Sequence, residues 1–161
     1  MTNNDILRRI RYVFDFGDDK MIALFALADK TVTRAEVSDW LKRDDDPAYR
    51  NCGDKALAYF LNGLIVDRRG RREGPPPVVE SRLTNNLILQ KLKIAMAFSS
   101  DDMLEVLHLA GNEMGRHEMS ALFRKPGHKH HRKCLDQVLR NFLTGLRMRF
   151  RPQAPVVEPS Y

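Results

Sequence analysis

Several residue types are scarce in this sequence, and each scarcity excludes a class of protein. Two cysteines in 161 residues are too few for a disulfide-built scaffold and fit reduced, buried thiols. No apolar run approaches the roughly 20 residues that a membrane-spanning helix needs, and residues 1–4 lack the basic and apolar regions of a signal peptide. We therefore expect a cytoplasmic protein with no membrane partner.

Sequence motifs for catalysis are also missing. The sequence contains no glycine-rich phosphate loop, no zinc-protease histidine pair and no nucleophile elbow. Recurring acidic residues, such as Asp54, Asp136 and Glu36, lie where the first turn of a helix favours a carboxylate. The sequence therefore predicts a protein that is not an enzyme and that needs no cofactor.

An internal repeat dominates what the sequence does contain. Residues 2–68 align without a gap to residues 84–150, at a shift of 82 positions and with 21 identical residues. The matched stretches begin with Thr-Asn-Asn at residues 2–4 and 84–86 and end with Gly-Leu at residues 63–64 and 145–146. Two copies are too few for an extended solenoid, so the repeat predicts two similar units related by a pseudo-twofold axis.

Apolar residues in each copy recur at helical spacing, and no segment shows a convincing strand pattern. Each copy has four such stretches. In the first copy we expect Asn3 or Asn4 to cap the first helix, Asp18 or Asp19 to start the second, Thr33 to open the third and Asp54 to cap the fourth. Glu36 completes a capping box with Thr33. The pattern predicts an all-α fold of two tandem four-helix units.

Composition marks the boundaries of these units. We predict a first helical repeat at residues 1–67, an Arg- and Pro-rich linker at 68–83, a second helical repeat at 84–150 and an extended tail at 151–161. Pro-Val-Val-Glu at 77–80 recurs at 155–158, which indicates a short extended piece in each unit. Gly63 and Gly145 lie inside the fourth helices, and a glycine there predicts close packing of another helix.

Positive charge is concentrated in the second half of the chain. Residues 1–67 have a net charge of −2 and residues 68–161 a net charge of +8. Such a surface is either simply solvated or binds an anionic partner, most commonly nucleic acid. The nucleic-acid hypothesis assigns the phosphate contacts to eight residues: Arg68, Arg69, Arg71, Arg72, Arg116, Arg124, Lys125 and Arg132. For the repeated arginines Arg34/Arg116 and Arg50/Arg132, the alternative is an intramolecular salt bridge.

A helix-turn-helix pattern is one form that this binding would take. Residues 21–28, a turn at 29–32 and residues 33–43 resemble the second and third helices of a phage-repressor DNA-binding domain. In the second copy the third helix would present Arg116, His117 and Ser120, with Arg124 and Lys125 closing the same helix. Paired helices of this kind are also common without any DNA-binding function.

Charge asymmetry also supports a second hypothesis, in which the protein is an interaction adaptor. An acidic copy and a basic copy in one chain favour head-to-tail self-association or docking to a protein partner. The partners expected from the sequence are therefore a nucleic acid, another protein or a second copy of the chain.

Three histidines and a cysteine lie together near residue 130. His128, His130, His131 and Cys134 carry ligand types that a zinc site uses, and a Cys next to a His also suggests a nucleophile with its base. Their spacing matches no closed four-ligand pattern, and the equivalent residues of the first copy are Asp46, Ala48, Tyr49 and Cys52. Only the cysteine repeats, so we predict no metal site and a buried thiol at Cys134.

A set of short motifs resembles the YehS-like family of uncharacterised bacterial proteins. These motifs are Asn-Asn-Asp-Ile-Leu-Arg at 3–8, Trp-Leu-Lys-Arg at 40–43, Cys-x-Asp at 52–54, Phe-Leu-Asn-Gly-Leu-Ile at 60–65 and Arg-Arg-Gly at 68–70. The resemblance covers residues 3 to about 148 and implies a bacterial cytosolic protein in which one unit occurs twice. It implies no activity, cofactor or catalytic residue.

Overall fold

The computed structural model describes residues 1–152, which form eight α-helices and contain no strand. They fall into two compact units, residues 1–83 and residues 84 onward. Unit 1 contains α1 (Asn3–Phe14), α2 (Asp18–Leu27), α3 (Arg34–Leu41) and α4 (Asp54–Arg69). Unit 2 contains α5 (Asn85–Met96), α6 (Ser100–Leu109), α7 (Arg116–Leu122) and α8 (Asp136–Phe150). The predicted all-α fold with four helices in each copy is confirmed.

Local capping explains several helix starts. The Thr33 hydroxyl accepts from the Glu36 amide, and the Glu36 carboxylate accepts from the Thr33 amide, which confirms the predicted capping box. The predicted cap of α1 is wrong, because Thr2 holds that position and forms its own capping box with Asp5. Asp54 is likewise not a cap: Gly53 occupies the cap position of α4. The side chains of Asn3, Asn4 and Asp54 form hydrogen bonds with other parts of unit 1 instead.

The second and fourth helices of each unit pack unusually closely. A Cβ atom placed on Gly63 of α4 would lie 1.7 Å from the carbonyl oxygen of Leu24 in α2. A Cβ atom on Gly145 of α8 would lie 2.0 Å from the carbonyl oxygen of Val106 in α6. No side chain fits at these distances, so the predicted packing role of the repeated glycine is confirmed.

Apolar side chains from all four helices meet around this contact. In unit 1 the core includes Ile6, Ile10, Phe25, Val37 and Phe60, each no more than 1% exposed. In unit 2 the equivalent positions are held by Ile88, Leu92, Leu107, Met119 and Phe142, each no more than 2% exposed. Each unit therefore has a hydrophobic core of its own.

The segment that we predicted to be a linker is tied to unit 1. Helix α4 continues to Arg69, so the segment is non-helical only from Gly70 onward. The Asn62 side-chain amide donates to the Val78 carbonyl at 3.0 Å, and the Leu83 amide donates to the Asp54 carboxylate at 2.9 Å. The chain leaves unit 1 only after Leu83, immediately before the Thr84 cap of α5.

The predicted extended tail, 151–161, lies outside the described residues except for its first two. The second Pro-Val-Val-Glu stretch, 155–158, lies outside them as well. Within residues 1–152, no helix has the length and apolar character to cross a membrane.

Candidate nucleic-acid interface

Two equivalent loops lead into the last helix of each unit. The α3–α4 loop contains the aspartate segment, residues 42–51, and the α7–α8 loop contains the basic segment, residues 124–133. Their backbones form the same hydrogen bonds. The amide of Asp46 donates to the Arg43 carbonyl at 3.0 Å, and in unit 2 the amide of His128 donates to the Lys125 carbonyl at 3.0 Å. A second turn follows in both units. In unit 2 it is closed by a hydrogen bond from the His131 amide to the His128 carbonyl.

One asparagine side chain holds each loop in place. The amide group of Asn86, in the first turn of α5, donates to the carbonyls of Leu122 and Arg132, at 2.9 and 2.8 Å. Its oxygen accepts from the Cys134 amide at 2.9 Å. Asn4, which is completely buried, makes the three equivalent bonds in unit 1, to Trp40, Arg50 and Cys52. The repeated asparagine is therefore a brace between the first helix and the loop.

Asn3 and Asn85 extend this brace to the last helix. The Asn3 amide donates to the Cys52 carbonyl at 3.1 Å and to the Asp54 carboxylate at 2.7 Å. Asn85 makes the same bonds to Cys134 and Asp136, at 3.1 and 2.7 Å, and its amide lowers the pKa of the Asp136 carboxyl. The repeated Asn-Asn and Cys-x-Asp motifs are thus the two sides of one structural contact.

Exposed positive charge is concentrated on the basic segment. Of the predicted phosphate-binding residues, Arg124, Lys125 and Arg132 lie here and are all exposed. We predicted that Arg124 and Lys125 would close the third helix, which is wrong, because α7 ends at Leu122. Pro126 disfavours helical backbone only at the preceding Lys125, and the equivalent helix α3, which has no proline at that position, also ends early, at Leu41.

Two further cations of the basic segment were missed by the sequence analysis. Lys129 and Lys133 are exposed in the same loop. Their counterparts in the first copy are Pro47 and Asn51, so neither charge is repeated. Their positive charge is the signal that could have identified them. In all, the basic segment carries five Lys and Arg residues and no acidic residue, whereas the aspartate segment has three of each sign.

The repeated arginine at the start of the third helix has an intramolecular partner. Arg116 lies 3.1 Å from the Asp101 carboxylate of α6, and Arg34 forms ion pairs with Asp18 and Asp19 of α2. The alternative of an intramolecular salt bridge is therefore confirmed for this pair of arginines. Arg116 also lies at the far end of α7 from the basic segment, about 10 Å away along a helix of this length.

The other four predicted phosphate-binding residues belong to unit 1. Arg68 and Arg69 are in the last turn of α4, and Arg71 and Arg72 follow it; all four are exposed. The Arg68 guanidinium lies 5.2 Å from the centre of the Phe14 ring, and Arg71 is 4.0 Å from the Asp29 carboxylate. The eight predicted residues therefore lie in three separate places: the basic segment, the start of α7 and the end of α4.

The histidines and cysteine near residue 130 take part in local hydrogen bonds. Nδ1 of His128 accepts from the His130 amide at 3.0 Å, and Nδ1 of His131 lies 2.9 Å from the Arg124 carbonyl. Cys134 is fully buried, and burial raises the pKa of its thiol to about 11. Within residues 1–152, no group of three or more His, Cys, Asp or Glu side chains is arranged to hold a metal ion.

Cys52 is the equivalent thiol of unit 1. It is 1% exposed, and burial raises the pKa of its thiol to about 12. Both cysteines are free of disulfide bonds. A thiol that stays protonated is a poor nucleophile, so the prediction of buried, structural cysteines is confirmed.

Comparison with known proteins places the chain in a family. A model for a protein family of unknown function, DUF1456, matches residues 3–70 and again residues 85–151. An uncharacterised protein of Escherichia coli K12, YehS, is 38% identical over 150 residues, which are 92% of this chain and 96% of that protein. No solved structure matches. The two family matches cover the two four-helix units described above, and the chain belongs to the DUF1456 family.

Proposed function

We propose that this protein is a non-enzymatic nucleic-acid-binding or regulatory protein that contacts phosphate groups through the basic segment. One observation carries this proposal: on a loop with the same hydrogen bonds as the aspartate segment, unit 2 presents five exposed cations and no acidic residue. Clustered Lys and Arg side chains bind the sugar-phosphate backbone by releasing the counterions condensed on it.

Side-chain partners favour the loop over the third helix as the contact surface. Arg116 would lead in a helix-turn-helix mode of binding, but it faces the Asp101 carboxylate, which would repel phosphate. Arg124, Lys125 and Arg132 have no acidic neighbour within the basic segment. Phosphate contacts of this kind position a protein on nucleic acid without reading its sequence, so we expect weak sequence preference.

The roles of the repeated polar residues support the non-enzymatic part of the proposal. The Asp54 and Asp136 carboxylates accept from structural amides, and both thiols are buried with a raised pKa. None of these groups is poised to exchange a proton with a substrate. Reduced cysteines also accord with a cytoplasmic location.

Binding to a labelled duplex of about 20 base pairs, measured across a salt series, tests the proposal. If each of the five cations of the basic segment neutralises about one phosphate, the logarithm of the association constant falls with the logarithm of salt concentration with a slope of about −4.5. The variant R124Q/K125Q/R132Q should reduce the slope to about −2 and weaken binding at low salt by at least about tenfold.

The first copy offers a matched control for this variant. K42Q/R43Q/R50Q removes three cations from the equivalent positions of the aspartate segment. It should leave the affinity and the salt slope unchanged. Absence of binding at about 50 mM salt, or equal losses in both triple variants, would overturn the proposal.

A second candidate function is self-association between the two kinds of loop. Asp44, Asp45 and Asp46 are exposed in the aspartate segment, so these three aspartates of one copy are complementary in charge to the basic segment of another. This candidate predicts oligomers in sedimentation at low salt that dissociate at high salt. A chain that is monomeric under both conditions eliminates it.

A further inference from the structure

One hydrogen bond of the turn inside the basic segment has a histidine nitrogen as its acceptor. The equivalent acceptor in unit 1 is a carboxylate oxygen. In unit 1 the Asp46 carboxylate accepts from the Ala48 amide at 2.8 Å. In unit 2 the same bond runs from the His130 amide to Nδ1 of His128, at 3.0 Å. A carboxylate accepts at any pH well above its pKa, whereas an imidazole nitrogen accepts only while it carries no proton.

Protonation of His128 would turn this acceptor into a donor. Nδ1–H and the His130 amide would then be two donors facing each other at 3.0 Å, so the imidazole would have to turn away from the amide, and an anion placed between the separated groups would accept from both. The other imidazole bond of the loop behaves differently: Nδ1 of His131 faces the Arg124 carbonyl and is a donor in both charge states. Only the bond at His128 is lost when the imidazoles take up protons.

The groups around His128 favour a negatively charged ligand. The His130 ring lies 5.6 Å from the His128 ring, centre to centre. The remaining titratable side chains of the basic segment are cationic or become so on protonation. From α5, the Lys93 amine lies over the Phe123 ring at the start of the loop. The charged side chains of the basic segment are Arg124, Lys125, Lys129, Arg132 and Lys133.

We infer that the turn at His128 and His130 binds one phosphate group of a nucleic-acid backbone, with uptake of one proton from solvent by His128. The phosphate oxygen accepts from Nδ1–H of His128 and from the His130 amide, and the neighbouring Lys and Arg side chains add charge. No covalent bond forms or breaks. This inference rests on the proposed function and gives it a specific subsite whose occupancy depends on pH.

Proton linkage sets the direction of the pH effect. A ligand that binds only the protonated imidazole binds more tightly as pH falls. At constant ionic strength, the affinity of the full chain for a labelled duplex should rise by about tenfold between about pH 8 and pH 5.5, the effect of one charge-assisted hydrogen bond.

Two single variants separate this subsite from a general gain of positive charge. H128N keeps an oxygen that accepts from the turn amide but cannot take up a proton. It should match the unchanged protein at about pH 8 and show little rise at about pH 5.5. H130N removes a neighbouring imidazole with the same charge but leaves the backbone amide, so it should keep most of the rise. Equal losses in H128N and H130N would overturn the inference.

Failure of the inference differs from failure of the proposed function. Binding that has the same pH profile in H128N and in the unchanged protein removes only the subsite, whereas no binding at any pH at low salt removes both. NMR of the imidazoles identifies the ligand: the duplex should raise the titration midpoint of His128, and inorganic phosphate at the same phosphate concentration should raise it much less. Equal shifts would assign the subsite to free phosphate and overturn the nucleic-acid assignment.

Discussion

The loop between α3 and α4 carries three aspartates at residues 44–46, where the loop between α7 and α8 carries Pro126, Gly127 and His128. Their backbones also differ locally. Gly127 has a φ of +90°, which is typical of the third residue of a type II turn whose second residue is a proline. The equivalent Asp45 does not have a positive φ. Yet the first turn is closed by a 3.0 Å hydrogen bond in both loops.

This comparison separates the residues that determine the loop from those that are free to change. The asparagine brace, the buried thiol and the carboxylate at the start of the last helix occur in both units with nearly the same distances. The residues between them point to solvent and differ in charge. Two loops anchored in the same way can therefore present different electrostatic surfaces, one with three charges of each sign and one with positive charges alone.

The largest expected effect comes from breaking the close contact between α2 and α4 in unit 1. Gly63→Ala places a methyl group against the Leu24 backbone, which cannot move without separating α2 from α4. We expect a loss of about 4 kcal/mol or more in the free energy of unfolding. Urea unfolding followed by the fluorescence of Trp40, the one tryptophan of the sequence, reports on unit 1 directly.

Gly53→Ala is the control for this variant, because an added Cβ atom at Gly53 would meet nothing within 4 Å. It should change the free energy of unfolding by less than about 1 kcal/mol. A Gly63→Ala protein as stable as Gly53→Ala would contradict the close approach of α2 and α4. Gly145→Ala should destabilise unit 2 in the same way, as measured by circular dichroism.

Removing the brace should have the next largest effect. Asn4→Ala leaves the Trp40 and Arg50 carbonyls and the Cys52 amide without their partner. We expect a loss of about 3 kcal/mol in the free energy of unfolding, since unsatisfied buried groups are costly. Asn86→Ala should cost less, because Asn86 is only partly buried.

Asn51→Ala, at an exposed position in the same loop, should stay within about 0.5 kcal/mol of the unchanged protein and serves as the control. If Asn4→Ala had no more effect than Asn51→Ala, the brace would not be what holds the loop.

The two thiols sharpen the comparison through their pH dependence. Burial raises the pKa of Cys52 from its ordinary value of 9.0 to about 12 and that of Cys134 to about 11. The folded protein therefore holds these protons more tightly than the unfolded chain does. Their contribution to stability is complete below about pH 9 and is lost as pH rises toward 11 and 12.

Alkylation by iodoacetamide, followed by mass spectrometry, measures this protection. At neutral pH both cysteines should react only as fast as the protein opens, and Cys134 should react before Cys52 as pH rises. Rapid alkylation of both thiols in the folded protein at neutral pH would show that they are accessible after all.

The smallest expected effect concerns an ion pair whose charges are exchanged between the units. Lys20 lies 2.7 Å from Asp67 in unit 1. The equivalent residues of unit 2 are Asp102 and Arg149, which have the two charges exchanged, and hydrogen bonds from Ser99 together with the charge of Arg149 lower the pKa of Asp102. K20D should destabilise unit 1 by about 0.5 to 1 kcal/mol, and K20D/D67R should restore most of that loss.

A double-mutant cycle followed by Trp40 fluorescence checks the exchange, with D67R as the second single variant. Additive losses in K20D and D67R would mean that the two side chains act independently in unit 1.

The sequence allowed most of the fold to be predicted, because its determinants are local or periodic. Helical spacing located all eight helices, the Thr33 and Glu36 spacing identified a capping box, and Gly63 indicated close packing. Asn3, Asn4 and Asp54 were assigned as caps because their true partners lie 29 to 51 positions away along the chain, and the sequence does not reveal these contacts.

The candidate site was harder to predict for a related reason. Arg124, Lys125 and Arg132 were identified by charge, but the end of α7 at Leu122 places them in a loop, and Lys129 and Lys133 join them there. Arg116 was grouped with them, although a tertiary contact with Asp101 engages it. Which cations share a surface depends on contacts that no repeat pattern records.

Asn86 binds both edges of the basic segment, since its amide group reaches the carbonyls of Leu122 and Arg132. These two hydrogen bonds therefore compensate the entropic cost of closing the loop, whichever residues lie between Leu122 and Arg132. Doubling the length of such a loop costs only about 0.6 kcal/mol. A peptide inserted between Lys129 and His130 should thus be displayed on unit 2 without unfolding it, which makes this family a candidate scaffold for grafted recognition loops.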